Sequence, residues 1–296
     1  MGRYIDPLID YGFKYIFGRE ESKPLLIDLL NQILASDPGF RPIVKLEYRD
    51  KEKSRIDRDA RGVIYDIHCE TSDGKRFIVE MQNYPQPYFR ERAKYYGAKG
   101  VVDQGRPGDD WRYDYLPVIC VSLMNFTMRD FPDQLVIDGA LYDRHSRKLI
   151  SDKERYIFIQ IPLFRKVREE DCVTGFDRWL YNILNMSTME RIAFKHENKL
   201  FKKLDEVAAY ASMTREERDL YDSQVKAARD RKGQLEYAEM EGMAKGMAKG
   251  MAKGIAKGKA EVIVNMASQG LAYEMIAKFT GLPLETVKNV LSQNPS

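Results

Sequence analysis

The sequence predicts an α/β fold: a mixed sheet flanked by helices, followed by a helical C-terminal region. Three observations predict it. Residues 64–84 hold two apolar, strand-prone stretches around a Thr71-Ser72-Asp73-Gly74-Lys75 break, the composition of a β-hairpin. Helix-period segments lie on either side of it, at residues 22–35 and 88–104. A largely apolar run at 115–124 reads as a buried central strand.

In chain order, residues 1–18 form a short segment leading into a turn at Phe17-Gly18. Residues 22–35 place Leu25, Leu26, Leu29, Leu30, Ile33 and Leu34 at helical spacing, with Ser22 as the expected cap and Pro24 in the first turn. Glu20 and Glu21, just ahead, complement the helix dipole or reach toward a metal. A short strand is expected at 43–48, and the charged run at 50–62 reads as a solvated connection. In the hairpin, a three-residue Ser72-Asp73-Gly74 loop with Gly74 left-handed pairs Thr71 with Lys75. Counting back sets Asp66 opposite Glu80, and Gln82 then shares their face. A two-residue loop would instead separate the two acids.

Pro85 and Pro87 end the hairpin. Over 88–104, Arg90, Arg92, Lys94 and Lys99 are interleaved with Phe89, Tyr95 and Tyr96, a composition suited to nucleic acid. The aromatics are expected to pack on the sheet. After a loop at 106–114 and the strand at 115–124, extended runs at 134–143 and 155–162 read as an added antiparallel pair.

From 177 to 241 the pattern is helical, and Thr214 with Glu217 makes a capping box. From Gly242 the tetrapeptide Gly-Met-Ala-Lys repeats. Its stripes drift about 40° per repeat around a helix axis, and each glycine costs about 1 kcal/mol against alanine. A self-associating helix and a flexible or partly helical linker both stay open. The end of the chain reads as a helix-turn-helix unit around Gly281-Leu282-Pro283, with Ile276, Ala277, Leu282, Val287 and Leu291 as its small core. Its second helix offers Lys288 and Asn289 to DNA against an opposing Glu285, so DNA contact and dimerisation are both open. The expected boundaries are 1–170, 171–241, 242–260 and 261–296.

Composition excludes several classes. The 296 residues, 44% hydrophobic and 31% charged, contain no apolar run of 18, so no transmembrane helix is expected. The N-terminal stretch lacks the apolar core of a signal peptide, and a cytoplasmic protein is expected. Cys69, Cys120 and Cys172 lack metal spacing and read as buried thiols, and His68, His145 and His196 are too scattered for zinc. A net charge of +3 leaves any DNA affinity to local basic patches.

Asp66, Glu80 and Gln82 on one sheet face are either ordinary strand residues or ligands of a hard cation such as Mg²⁺, which takes one or two carboxylates plus water and phosphate. Beyond this motif, DYGFKYIFG (10–18), YDIHCETSDGKRFIVEMQ (65–82), YFRERAKYYGAKGVVDQG (88–105) and YLPVICVSLMNF (115–126) follow one another. In these segments the sequence resembles the Rpn-type recombination-promoting nuclease/transposase branch of the PD-(D/E)XK nuclease superfamily. The resemblance implies a restriction-endonuclease-like mixed sheet and a metal-dependent DNA endonuclease that promotes recombination or mobile-element transactions. It implies Asp66 and Glu80 as ligands of Mg²⁺ or another divalent cation, and Gln82 at the superfamily's lysine position. Glutamine brings no charge there, so Lys14 or Arg92 is expected to supply the missing cation. The alternative is a catalytically weak or silent DNA-binding or regulatory protein on the same scaffold. Expected partners are DNA and a second copy, as a homodimer or higher oligomer through the C-terminal helices, with no membrane.

Overall fold

The computed structural model describes residues 2–49, 66–105 and 112–293, in two compact units, Met1–Lys226 and Ala227–Ser296. The charged run at 50–62 therefore falls outside the described residues, as do 106–111 of the expected loop.

The first unit carries one six-stranded sheet in the order β1-β2-β3-β4-β6-β5. Its strands are β1 (Leu46–Tyr48), β2 (Ile67–Thr71), β3 (Arg76–Gln82), β4 (Val118–Met124), β5 (Val136–Tyr142) and β6 (Leu149–Gln160). β2 runs antiparallel to both β1 and β3, and β3, β4 and β6 are mutually parallel. The parallel step from β3 to β4 needs a crossover, supplied by helix α3 (Phe89–Val102). Every residue of β3 and β4 is buried, as central strands covered on both faces require. The expected antiparallel pair is found as β5 and β6, with a difference. Residues 149–154, read as a connection, are already strand, and β6 also joins β4 in parallel. That pairing is long-range and leaves no local pattern.

The hairpin follows its turn chemistry. Gly74 sits at φ +82, its N–H donates to Thr71 O at 2.8 Å, and Thr71 N–H donates to Lys75 O at 2.9 Å. The loop is therefore the three-residue one. A Cβ on Gly74 would meet the movable tip of Leu116 at 2.3 Å, so it is the left-handed conformation that requires glycine.

Helices cover both faces of the sheet. On one, Ile78, Val118 and Cys120 pack beneath Tyr96 and Val101 of α3. Gly97 and Gly100 let that helix lie close, since a Cβ on either would press on Tyr156 or Val118 at under 3.0 Å. On the other, Leu34 of α2 (Lys23–Leu34) lines a cavity with Phe77 and Ile119. The expected turn at Phe17-Gly18 is preceded by a full helix, α1 (Asp10–Phe17). Its Phe17 begins an aromatic chain through Trp179 of α4 (Gly175–Asn185) to Phe201 of α5 (Lys199–Val207), with centroids 5.7 and 5.0 Å apart. Trp179 Nε1 donates to Asp28 of α2 at 2.7 Å, and Tyr48 OH of β1 donates to the α1 carbonyl of Phe17 at 2.6 Å. These contacts fix α1 against the sheet.

Ser22 does not cap α2. A 3₁₀ turn at Glu20–Ser22 runs straight into the helix, Ser22 already has helical backbone angles, and its buried hydroxyl makes no capping bond. The capping box at Thr214 is found, with both reciprocal bonds, at 2.8 and 3.2 Å. It opens α6 (Arg215–Ser268), and this helix continues unbroken through the Gly-Met-Ala-Lys repeat. The flexible-linker alternative is thus replaced by helix, which passes through the expected boundaries at 241/242 and 260/261. Each repeat glycine faces open space, which carries a propensity cost and no steric one. Against it stand alanine at every fourth position and the i,i+4 pair of Glu241 and Lys245 at 2.7 Å.

In the second unit, α6 ends at a glycine turn, where Gly270 takes φ +84 and Leu271 N–H returns to Met266 O at 3.2 Å. Helices α7 (Tyr273–Thr280) and α8 (Leu284–Gln293) follow around Gly281, at φ +66. Ile276 and Val287 are fully buried against Ile263 of α6, with Ala277, Leu282 and Leu291 packed beside them. The expected small core is therefore found, enlarged by one face of α6. Met243, Met247, Met251 and Ile255 remain exposed along the repeat.

Candidate active site

The hairpin register sets the site. Ile67 pairs with Val79 and His68 with Ile78, so the next step along the ladder brings Asp66 opposite Glu80. Beyond Ile67 side chains take over the hydrogen bonding. Asp66 N–H donates to Glu80 Oε1 at 3.2 Å, and Met81 N–H donates to Asp66 Oδ2 at 3.0 Å. Gln82 Nε2 donates to the other Glu80 oxygen at 3.2 Å. Asp66, Glu80 and Gln82 are each only 7% exposed, which rules out freely solvated strand residues.

Lys14 Nζ lies 3.0 Å from Asp66 Oδ1 and 2.8 Å from Asp10 Oδ1. Burial lowers the Lys14 pKa, but the two carboxylates outweigh it and the net shift is upward. Asp66 is raised by burial and by the nearby Asp10, against the opposing pull of Lys14. Glu80 is raised further, first by burial and then by the Asp66 charge, with Arg92 and Lys14 opposing. Lys14 and Asp66 thus both move upward: the ion pair is favourable, yet too weak to offset the desolvation of Asp66.

Arg92 projects from α3 toward the same region. Its guanidinium donates to Gln86 and lies over the rings of Phe89 and Tyr96 at 5.5 and 5.9 Å. Tyr96 is itself raised by burial and by Glu80. The structure therefore joins four of the five sequence-derived residues by contact, Asp66, Glu80 and Gln82 on the hairpin with Lys14 from α1, while Arg92 of α3 touches none of them and acts on Glu80 through its charge. Glu20 pairs with Lys23 at 2.8 Å and Glu21 with Arg19 at 3.4 Å.

Sequence reasoning missed Asp10, the acid that holds Lys14 in place. Its only local signal is the i,i+4 spacing with Lys14. His68, weighed in the sequence only as too scattered for zinc, lies on the same hairpin face as Asp66. Burial, with Arg76 and Arg49 nearby, pushes the His68 pKa down to about 4.

The donor set consists of oxygens: two buried carboxylates and an amide. Among the described residues no group of three or more His, Cys, Asp or Glu side chains is placed to hold a metal. An ion here would therefore be held by the acid pair together with water or phosphate, which suits Mg²⁺ better than a full protein cage does. The two raised carboxyl groups fit such an ion, because a cation relieves the cost of burying both charges.

Sheet, hairpin and acid pair define the class of α/β nuclease-like proteins. The family match is narrower: the model for PD-(D/E)XK nuclease family transposases covers residues 7–238, and the chain belongs to that family. Residues 239–296, with the repeat and the tail, lie outside the match. No curated protein and no solved structure matches the chain. No helix among the described residues is long and apolar enough to cross a membrane.

Proposed function

We propose that the chain is a divalent-metal-dependent DNA endonuclease serving recombination or mobile-element transactions. The observation that carries this reading is the buried pair of Asp66 and Glu80, one ladder step beyond Ile67 and Val79, with the Lys14 ammonium 3.0 Å from Asp66. When bound, a divalent ion would supply an activated water and charge stabilisation at a phosphoryl group. Asp66 and Glu80 would hold it.

The remaining side chains divide the other tasks. Lys14, kept cationic by Asp10 and Asp66, neutralises a non-bridging phosphate oxygen. It reaches in space the role that Gln82 lacks the charge to fill. Gln82 donates hydrogen bonds, to Glu80 at rest and to water or phosphate in the complex. Arg92 binds the backbone phosphate next to the scissile one. Hydrolysis forms a bond from water oxygen to phosphorus and breaks a phosphorus–sugar oxygen bond. Gln82 takes no proton, so the proton of the water passes to a carboxylate or to solvent, and the departing sugar oxygen takes a proton from solvent.

Plasmid cleavage with Mg²⁺, Mn²⁺, Ca²⁺ or EDTA tests this, run beside Asp66→Ala and Glu80→Ala. Cleavage by the wild type alone, and only with a divalent ion, is the expected result. Equal cleavage by Asp66→Ala removes the assignment. DNA binding without turnover in any metal selects the silent DNA-binding alternative instead.

A further inference from the structure

Among the described residues four non-glycine side chains sit at positive φ: Tyr88, Tyr113, Arg147 and Phe194. Phe194 is buried in the aromatic cluster, with Phe201 at 5.8 Å. Arg147 closes the turn between β5 and β6 through its N–H to Asp143 O. Tyr113 borders residues outside the described set. Tyr88 has no packing reason for its backbone: φ is +60 and the residue is 80% exposed. A strained, exposed aromatic is a poor choice for stability, and such outliers gather at functional sites.

Its position suggests the use. Tyr88 is the N-cap of α3, and its carbonyl accepts from Arg92 N–H at 2.9 Å. Arg92, one turn on, acts electrostatically on Glu80. Tyr95, 47% exposed, follows three residues later on the same margin of the helix. The other aromatics of α3 behave differently. Phe89 packs with Met124 and Phe158, and Tyr96 covers Ile78. The helix thus separates its rings into a packed pair and an exposed pair, and the exposed pair brackets Arg92. Exposed rings beside a backbone-binding cation are the elements that hold unpaired nucleic-acid strands.

Resting on the nuclease reading above, we propose that Tyr88 and Tyr95 are base-stacking positions that lead an unpaired DNA strand past Arg92 to the acid pair. Stacked bases in a duplex cannot offer a face to these rings, so the preference is for single-stranded or locally opened DNA. The contribution is independent of base identity, because every base has a π-face.

The test is fluorescence anisotropy on the full chain in EDTA at one fixed salt concentration, with labelled dT20 and a 20-base-pair duplex as probes. Tyr88→Ala and Tyr88→Gly should weaken binding to dT20 by roughly 5- to 150-fold, the range that loss of one stacked base gives. Duplex affinity should change less than about 2-fold, and Tyr88→Trp should retain strand binding. Tyr95→Ala should act in the same direction. Glycine suits positive φ, so Tyr88→Gly should melt no lower than wild type, and its binding loss then cannot come from misfolding. Unchanged dT20 affinity in Tyr88→Ala, or equal losses on strand and duplex, overturns the proposal. The two readings fail separately: metal-dependent plasmid cleavage by a Tyr88→Ala protein with unchanged strand affinity removes the stacking role and leaves the nuclease. A wild type that neither cuts nor binds either probe removes both.

Discussion

Replacing Lys14 by Met tests the electrostatics of the site without touching an acid. The ammonium is 3.0 Å from Asp66, and at an effective dielectric constant of about 20 that separation is worth about 5 to 6 kcal/mol of attraction. Lys14 is a quarter exposed and already bears a desolvation cost, so the net loss on removal should be about 2 to 3 kcal/mol. The loss has a pH signature. Lys14 opposes the upward shift of Asp66, so in the variant the Asp66 carboxyl climbs further and takes a proton over a wider range. The variant's deficit grows with pH between the two Asp66 values and levels off above the higher one. Urea unfolding in EDTA should show the full deficit at pH 8 and a much smaller one at pH 5. Lys14→Arg should recover most of it. A deficit equal at both pH values would mean that Lys14 contributes packing and not charge, and the reasoning would fall.

Two further outcomes follow from other parts of the fold. His68 is buried and neutral, its pKa pushed from 6.5 to about 4, so its contribution to stability is complete above pH 6.5 and is lost as pH falls toward 4. At about 1.4 kcal/mol per pH unit the loss reaches about 3 kcal/mol, and His68→Gln should flatten that part of the urea-midpoint curve. An unchanged slope refutes it. In the repeat, Gly246→Ala, Gly250→Ala and Gly254→Ala together should strengthen the helix by about 3 kcal/mol, since no neighbour stands near the added methyl groups. Circular dichroism on heating should show helix persisting to higher temperature; no gain would mean these glycines are not in a solvent-facing helix.

What could be read from the sequence was what local chemistry decides. The Ser72-Asp73-Gly74 loop fixes the hairpin register, and the register alone brings Asp66 to Glu80. The core of the tail was equally legible, because Ile276 and Val287 are placed by helical spacing around one glycine turn. Contacts made at a distance in sequence left weaker traces. Asp10 was overlooked because its partner Lys14 finds Asp66 more than fifty residues away. The union of β6 with β4 is a long-range parallel pairing, and nothing in residues 154–160 announces it. Ser22 misled because a residue type suited to capping lies inside a turn that continues into its helix. For the repeat, propensity alone underrated the helix. It is anchored by the capping box at one end and by the packing of Ile263 at the other, so the glycines extend an existing helix and need not nucleate one.

The continuity of α6 through the tetrapeptides gives their number a mechanical meaning. Four residues advance a helix by about 6 Å and turn it by about 400°, so one added repeat displaces Ile263 outward and rotates it about 40° relative to the residues before Gly242. Nine added repeats would return it to its original bearing. Copy number thus acts as a vernier along the helix, in which each step changes axial rise and rotation together while every local contact of the tail is preserved.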